Sequence, residues 1–187
     1  MNTGAAMKKT TACFTGPRPE KLMTHWNESN PEIQRIKHQL FQTITELVTQ
    51  KGYRLFLCGM ARGIDLIAAE TVLSVKAMLS DVALGAVIPY WEQRFHQPEP
   101  WRKRYHAVLQ KCDQVLVLHQ TYVPGCLIER NHYMVDNSSH LIAVYNGNPN
   151  GGTASTIRYA EKQGINRTIL HTPLTVLRGN EPGNRSL

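Results

Sequence analysis

Residues 146–156, NGNPNGGTAST, combine glycine, hydroxyl side chains and a helix start in a pattern suited to holding a phosphate. Gly151-Gly152-Thr153 runs straight into helical sequence. Free backbone N–H groups, the positive end of the helix dipole and the hydroxyls of Thr153, Ser155 and Thr156 therefore converge. Two more loops are glycine-rich: TGPRP at 15–19 and CGMARGID at 58–65. Glycine lets the chain turn with positive φ and lets a ligand approach the amides without a Cβ in the way. Any one of these loops also reads as a tight turn, with Thr153 no more than an N-cap. Three of them at strand ends favour a ligand. There is no GxGxxG after the first strand and no GxxxxGK[ST] anywhere, which argues against a dehydrogenase or a P-loop ATPase.

Two other segments mix polar and aromatic residues. In RNHYMVD at 130–136, Arg130 and Asn131 follow a strand, and Asn131 has the donor and acceptor to read a base edge or a ribose. The same segment also reads as a helix face, with Tyr133, Met134 and Val135 partly in the core and the polar residues solvated. WEQRF at 91–95 and WRKRY at 101–105 interleave aromatics with Arg94, Arg102, Lys103 and Arg104, as a surface that stacks bases does. On a helix, however, Trp101 and Tyr105 share a face by i,i+4 spacing, which favours a core stripe with a solvated basic side. The eight histidines form no HExxH, Cys13, Cys58, Cys112 and Cys126 show no CxxC, and no GxSxG occurs. No metal site is expected, and Cys13 and Cys58 suit small buried hydrophobes.

The elements that must position these residues alternate. Strands are expected at 10–15, 53–58, 83–88, 114–118 (read as buried), 140–145 and 167–170. Helices are expected from Asn30 as N-cap to a stop at Gly52, then at 64–79, 100–111, 127–137 and 153–163. The first strand ends in Gly16-Pro17-Arg18-Pro19, where a turn is expected rather than a helix. Six short strands alternating with helices predict an α/β fold, an open parallel sheet with helices on both faces. In such sheets ligands bind beyond the carboxyl ends of the strands. Residues 1–7 and 173–187 read as polar tails around one domain at 8–172.

With 187 residues, 42% hydrophobic and 19% charged, the chain can bury a sizeable core without a disulfide or metal. Its apolar runs are too short to cross a bilayer, the N-terminal MNTGAAMKK lacks the apolar stretch of a secretory signal, and the scattered cysteines suit a reducing cytoplasm. Lys and Arg number 21 against 14 Asp and Glu, a balance of +7 with a pI near 9.4. That leaves nucleic acid open as a partner without requiring it, and leaves homo-oligomerisation open.

The order TGPRP, GMARGID, AVIPY, RNHYMVD and GGTASTIRYA resembles the YpsA-like branch of the SLOG superfamily of Rossmann-like proteins, over about residues 9–170. GMARGID is also similar to the strand-loop-helix motif of DNA-processing protein A, and the chain more weakly resembles the Lonely-guy phosphoribohydrolases. The resemblance implies a nucleotide or nucleotide-derived ligand, such as AMP, NAD or ADP-ribose, lying across the strand ends. Gly16 and Arg18 would line one wall, and Gly59, Arg62, Gly63 and Asp65 a second. Gly151, Gly152, Thr153 and Thr156 would cradle its phosphate. Arg18 or Arg62 can fork onto phosphate oxygens, and Asp65 can accept from the amides that follow it or from a ribose hydroxyl; equally, Asp65 can simply cap its helix.

Lonely-guy enzymes carry PGGxGTxxE, and aligning Gly152-Thr153 with that GT places Thr156 where their catalytic Glu stands. Threonine cannot act as that carboxylate acid/base. Glu92, Glu129, Asp136 and Glu161 remain as carboxylates that other elements would have to bring in. The expected function is therefore a sensor or regulator that binds a nucleotide-like ligand. A single-stranded DNA-binding protein and a nucleoside-monophosphate N-glycosidic hydrolase are the alternatives.

Overall fold

The computed structural model describes residues 7–174. Of the tails expected at 1–7 and 173–187, only Met7, Pro173 and Leu174 fall inside that range. Six strands form one all-parallel sheet: β1 (Thr11–Thr15), β2 (Leu55–Cys58), β3 (Ala83–Tyr90), β4 (Gln114–His119), β5 (His140–Tyr145) and β6 (Asn166–His171). Their order across the sheet is β4-β3-β2-β1-β5-β6. The register sets Ala12 beside both Phe56 and His140.

Five helices of two turns or more connect the strands: α2 (Pro31–Lys51), α3 (Ile64–Lys76), α4 (Trp101–Leu109), α5 (Cys126–Asp136) and α6 (Gly152–Lys162). A single helical turn, α1 (Pro19–Leu22), precedes them, and a 3-10 turn spans Trp91–His96. The turn expected at 16–19 is thus a turn that becomes α1, because Pro19 sits at the first helical position, where its missing N–H costs nothing. α2 starts as its sequence suggests: the Asn30 side chain accepts from the Glu32 amide, Pro31 follows, and Gly52 ends the helix in the left-handed region. No helix among the described residues is long and apolar enough to cross a membrane.

Alternate strand residues enter two cores, as the period of two requires. On one face Ala12, Phe14, Phe56, Leu84 and Ile88 pack under α2, α3 and α4; on the other Cys13, Leu57, Val87, Leu141 and Ala143 pack under α5 and α6. Trp101 and Tyr105 are buried in the first core, so the WRKRY segment is the core stripe its spacing allows. β4 departs from expectation. It is an edge strand rather than a buried one, with Val115 47% and Leu116 37% exposed, because among the described residues β3 alone pairs with it.

Candidate ligand site

The sheet order reverses between β1 and β5. From β1 the chain adds strands outward to β4, then returns to start β5 on β1's other side. The loops after these two neighbours diverge and leave a crevice. A cleft of 890 Å³ lies there. Arg18, Glu20 and Lys21 line one side, Asn148 and Gly151–Thr153 the other, and Leu127 comes in from the start of α5. The walls are tied together where the Asn146 amide donates to the Lys21 carbonyl at 3.3 Å.

The far wall is the start of α6. Its N-cap is Gly151, whose lack of a side chain leaves the helix uncapped. Ser155 is the first amide of the helix bonded in helical fashion, to the Gly151 carbonyl at 3.0 Å. Among the described residues the amides of Gly152, Thr153 and Ala154 have no acceptor; Gly152 and Thr153 line the cleft, and the dipole of α6 starts there. The loop before them is held by a chain of short turns: Asn146 accepts from the Asn148 amide and Asn148 from the Asn150 amide. α3 and α5 likewise begin at glycines, Gly63 and Gly125, without a side-chain cap.

The glycines divide by function. At Gly16 a Cβ would overlap the Ile64 side chain, and at Gly59 it would fall inside the Arg130 guanidinium. Gly63 has φ +91°, and a Cβ there would come 2.8 Å from Pro19 Cδ. These three let the loops after β1 and β2 and the start of α3 pack against one another. A Cβ at Gly152 would meet nothing within 4 Å, so the protein's own packing does not demand that glycine.

The charged residues divide too. Arg18 is exposed and lines the cleft; its carbonyl accepts from the Lys21 amide, and its guanidinium has no ion pair or hydrogen bond among the described residues. Arg62 pairs with Glu20 at 3.0 Å and lines a smaller side pocket rather than the cleft. Asp65 and Arg130 are buried against each other at 3.5 Å, beneath the loop after β2. Arg130 also donates to the Gly59 carbonyl, and Asp65 accepts from the Ala61 amide at 3.3 Å, reaching back into the loop rather than capping α3. Burial pushes the Asp65 carboxyl up, opposed by the Arg130 charge and the Ala61 N–H. These two residues lock the loop in place. Asn131 donates to Thr156 at 3.0 Å, and both line a neighbouring 340 Å³ hollow that shares Gly151 and Gly152 with the cleft. Thr156 in turn donates to the Gly152 carbonyl, so the pair braces the helix start.

Of the four carboxylates considered from sequence, Glu92 lines neither the cleft nor the side pocket, and the other three are held elsewhere. Glu129 bonds His119 at 2.7 Å, Asp136 accepts from the Tyr159 hydroxyl at 3.0 Å, and Glu161 pairs with Arg167 at 3.3 Å. Glu20 is the carboxylate that does line the cleft, and sequence reasoning missed it. The signal was its position two residues after Arg18, which α1 turns toward the same opening. Burial pushes its pKa up, but the hydrogen bond from Arg62 and the charges of Arg62 and Arg18 outweigh this and hold it below the usual carboxylate value. An ionised carboxylate engaged by a guanidinium is a poor general acid. Also missed were Tyr90, Gln93, His96 and Gln97, set around the side pocket by the 3-10 turn after β3.

A model of the YspA SLOG family matches residues 12–175 of the sequence. The chain belongs to that family. Among similar proteins, a UPF0398 protein of Halalkalibacterium halodurans is 30% identical over 133 residues, covering 70% of each chain. The SPbeta prophage-derived protein YoqJ of Bacillus subtilis is 26% identical, over 71% of this chain and 84% of its own. A UPF0398 protein of Bacillus cereus is 26% identical, over 80% and 82%. The match to the SLOG family takes in all six strands except the first residue of β1, and all the loops that border the cleft.

Proposed function

We propose that this SLOG protein binds a nucleotide or nucleotide-derived phosphate ligand in the cleft between the loops after β1 and β5, and acts as a sensor or regulator. One observation carries the reading: the unsatisfied amides of Gly152 and Thr153 at the start of α6 and the unpaired Arg18 guanidinium lie on opposite sides of an open cleft at the sheet's switch point. Gly152 supports it, since the fold itself has room for a side chain there. A hydrolytic role has less support, because Glu20 is ionised and held by Arg62. The DNA-binding alternative still has the +7 charge, the GMARGID loop and the exposed Lys103 behind it, but two members of its basic cluster are engaged. Arg104 is engaged by Glu28 and Glu70, Arg102 by Glu99, and neither lines the cleft.

Thermal-shift and calorimetric titrations with AMP, NAD, ADP-ribose and cyclic dinucleotides test the proposal on the wild type and on Gly152→Asp. At least one compound should bind saturably, with affinity falling roughly 30-fold in the variant as a carboxylate enters the phosphate cradle. The variant's own melting temperature should stay within a few degrees. Binding of none of these compounds, or undiminished binding to the variant, overturns it.

A further inference from the structure

The cleft has a side branch. Arg18 and Leu127 line both the 890 Å³ cleft and a 70 Å³ pocket that runs toward the 3-10 turn after β3. Its polar lining consists of Arg18, Arg62, Tyr90, Gln93, His96 and Gln97. Two guanidinium groups face this small space, and among the described residues no carboxylate lines it. The uncharged groups around it all carry donors.

Two of these groups are unusual. Gln93, 5% exposed, donates its amide to the Met60 carbonyl at 3.2 Å, which fixes the 3-10 turn onto the loop after β2. Gln97 is only 9% exposed, lines the pocket, and has no hydrogen-bond partner among the described residues. Its amide atoms keep their contact with solvent through the pocket, so both its donors and its acceptor are free to bind a group that enters there. The pocket is small beside the main cleft and takes a compact head group rather than a second nucleoside.

We propose that this pocket is a second anion subsite, so that the ligand of the cleft carries two separated phosphate groups: one on the start of α6, the other between Arg18, Arg62 and Gln97. This rests on the phosphate reading of the main cleft and narrows its ligand class to doubly phosphorylated nucleotides. Arg18 stands between the two subsites and can fork to an oxygen of each phosphate. Arg62 bonds Glu20 through one N–H and has further N–H groups to offer the incoming anion, a charge-assisted bond to phosphate that leaves the ion pair in place.

Calorimetry with two matched sets of probes tests this: the nucleoside 5′-monophosphates and the corresponding 3′,5′-bisphosphates, on wild type, Gln97→Glu, Gln97→Ala and Arg62→Gln. The quantity read is the ratio of bisphosphate to monophosphate affinity for the same base. It should be at least tenfold in the wild type and fall to within twofold in Gln97→Glu, where a carboxylate replaces the amide. Gln97→Ala and Arg62→Gln should lie between. Melting curves identify any variant that fails to fold, and the other two then carry the comparison. A wild-type ratio near one overturns the second subsite while leaving the phosphate cleft standing, as does a ratio unchanged in the folded variants. Binding of neither set overturns both.

Discussion

At the scale of single residues, the most consequential contact is the buried pairing of Arg130 with Asp65 and the Gly59 carbonyl. An ion pair at this depth adds little net stability, but removing one partner strands the other. Arg130→Met should therefore destabilise the protein by roughly 3 kcal/mol at pH 7.5 in urea denaturation. Burial already raises the Asp65 pKa, and loss of the arginine raises it further, so the folded state then takes up a proton more readily than the unfolded chain. The deficit should shrink as pH falls through that folded-state pKa, and a deficit of equal size at pH 5 and 7.5 would contradict this account. The sequence offered Arg130 as a ligand contact or a solvated helix residue. That it shares a face with buried Met134 was visible from their spacing, but its partner Asp65 lies 65 positions away in the sequence. Nothing local marks a pairing of that kind. For the same reason Gly16, Gly59 and Gly63 read as ligand glycines, although packing against Ile64, Arg130 and Pro19 suffices to require them.

At the scale of elements, α6 sacrifices stability at its first turn. A glycine N-cap in an extended conformation (φ −88°, ψ 164°) accepts other residues, and a Cβ there would approach nothing closer than 3.7 Å. Gly151→Asp should cap the helix and complement its dipole, raising the unfolding free energy by about 0.5–1 kcal/mol. The same carboxylate would repel phosphate, so the ligand-free protein should melt higher while nucleotide affinity drops; calorimetry and melting curves read both. Elements with strong local signals were legible in the sequence. β5 has the bounds expected of it, and α6 is displaced by one residue. The short α1 and the 3-10 turn were not foreseen, since one turn of helix leaves no periodicity to detect. They supply Glu20, Gln93 and His96, which explains why the glycine wall, Arg18 and Arg62 were named from sequence and these neighbours of theirs were not. β4 was misjudged for a different reason: QVLVLH is as apolar as a central strand, and being last in the sheet is a property of the topology, not of the segment.

At the scale of the whole molecule, acid stability has an identifiable component at the seam between β5, β6 and the start of β2. His140 is buried under Tyr53 and bonds Thr168 at 2.8 Å. Burial, with some help from the Lys51 charge, holds its pKa down to about 4, against 6.5 for an unperturbed ring. The unfolded chain therefore binds a proton that the folded protein refuses between pH 6.5 and 4, and stability falls as pH drops through that window. Between pH 7 and 4.5 the loss should be smaller in His140→Gln than in wild type, by on the order of 2 kcal/mol, as read by denaturant melts at each pH. An equal loss in both would place the acid sensitivity elsewhere. The exposed edge of the sheet acts on this molecule before it is folded as well as after. β4 carries no charge, no proline and no bulge to discourage another strand, and its outward Val115 and Leu116 form a short apolar template. During refolding at high concentration β4 is where chains would recruit one another, so the yield of native protein should be limited by strand-to-strand aggregation rather than by the rate at which either core closes.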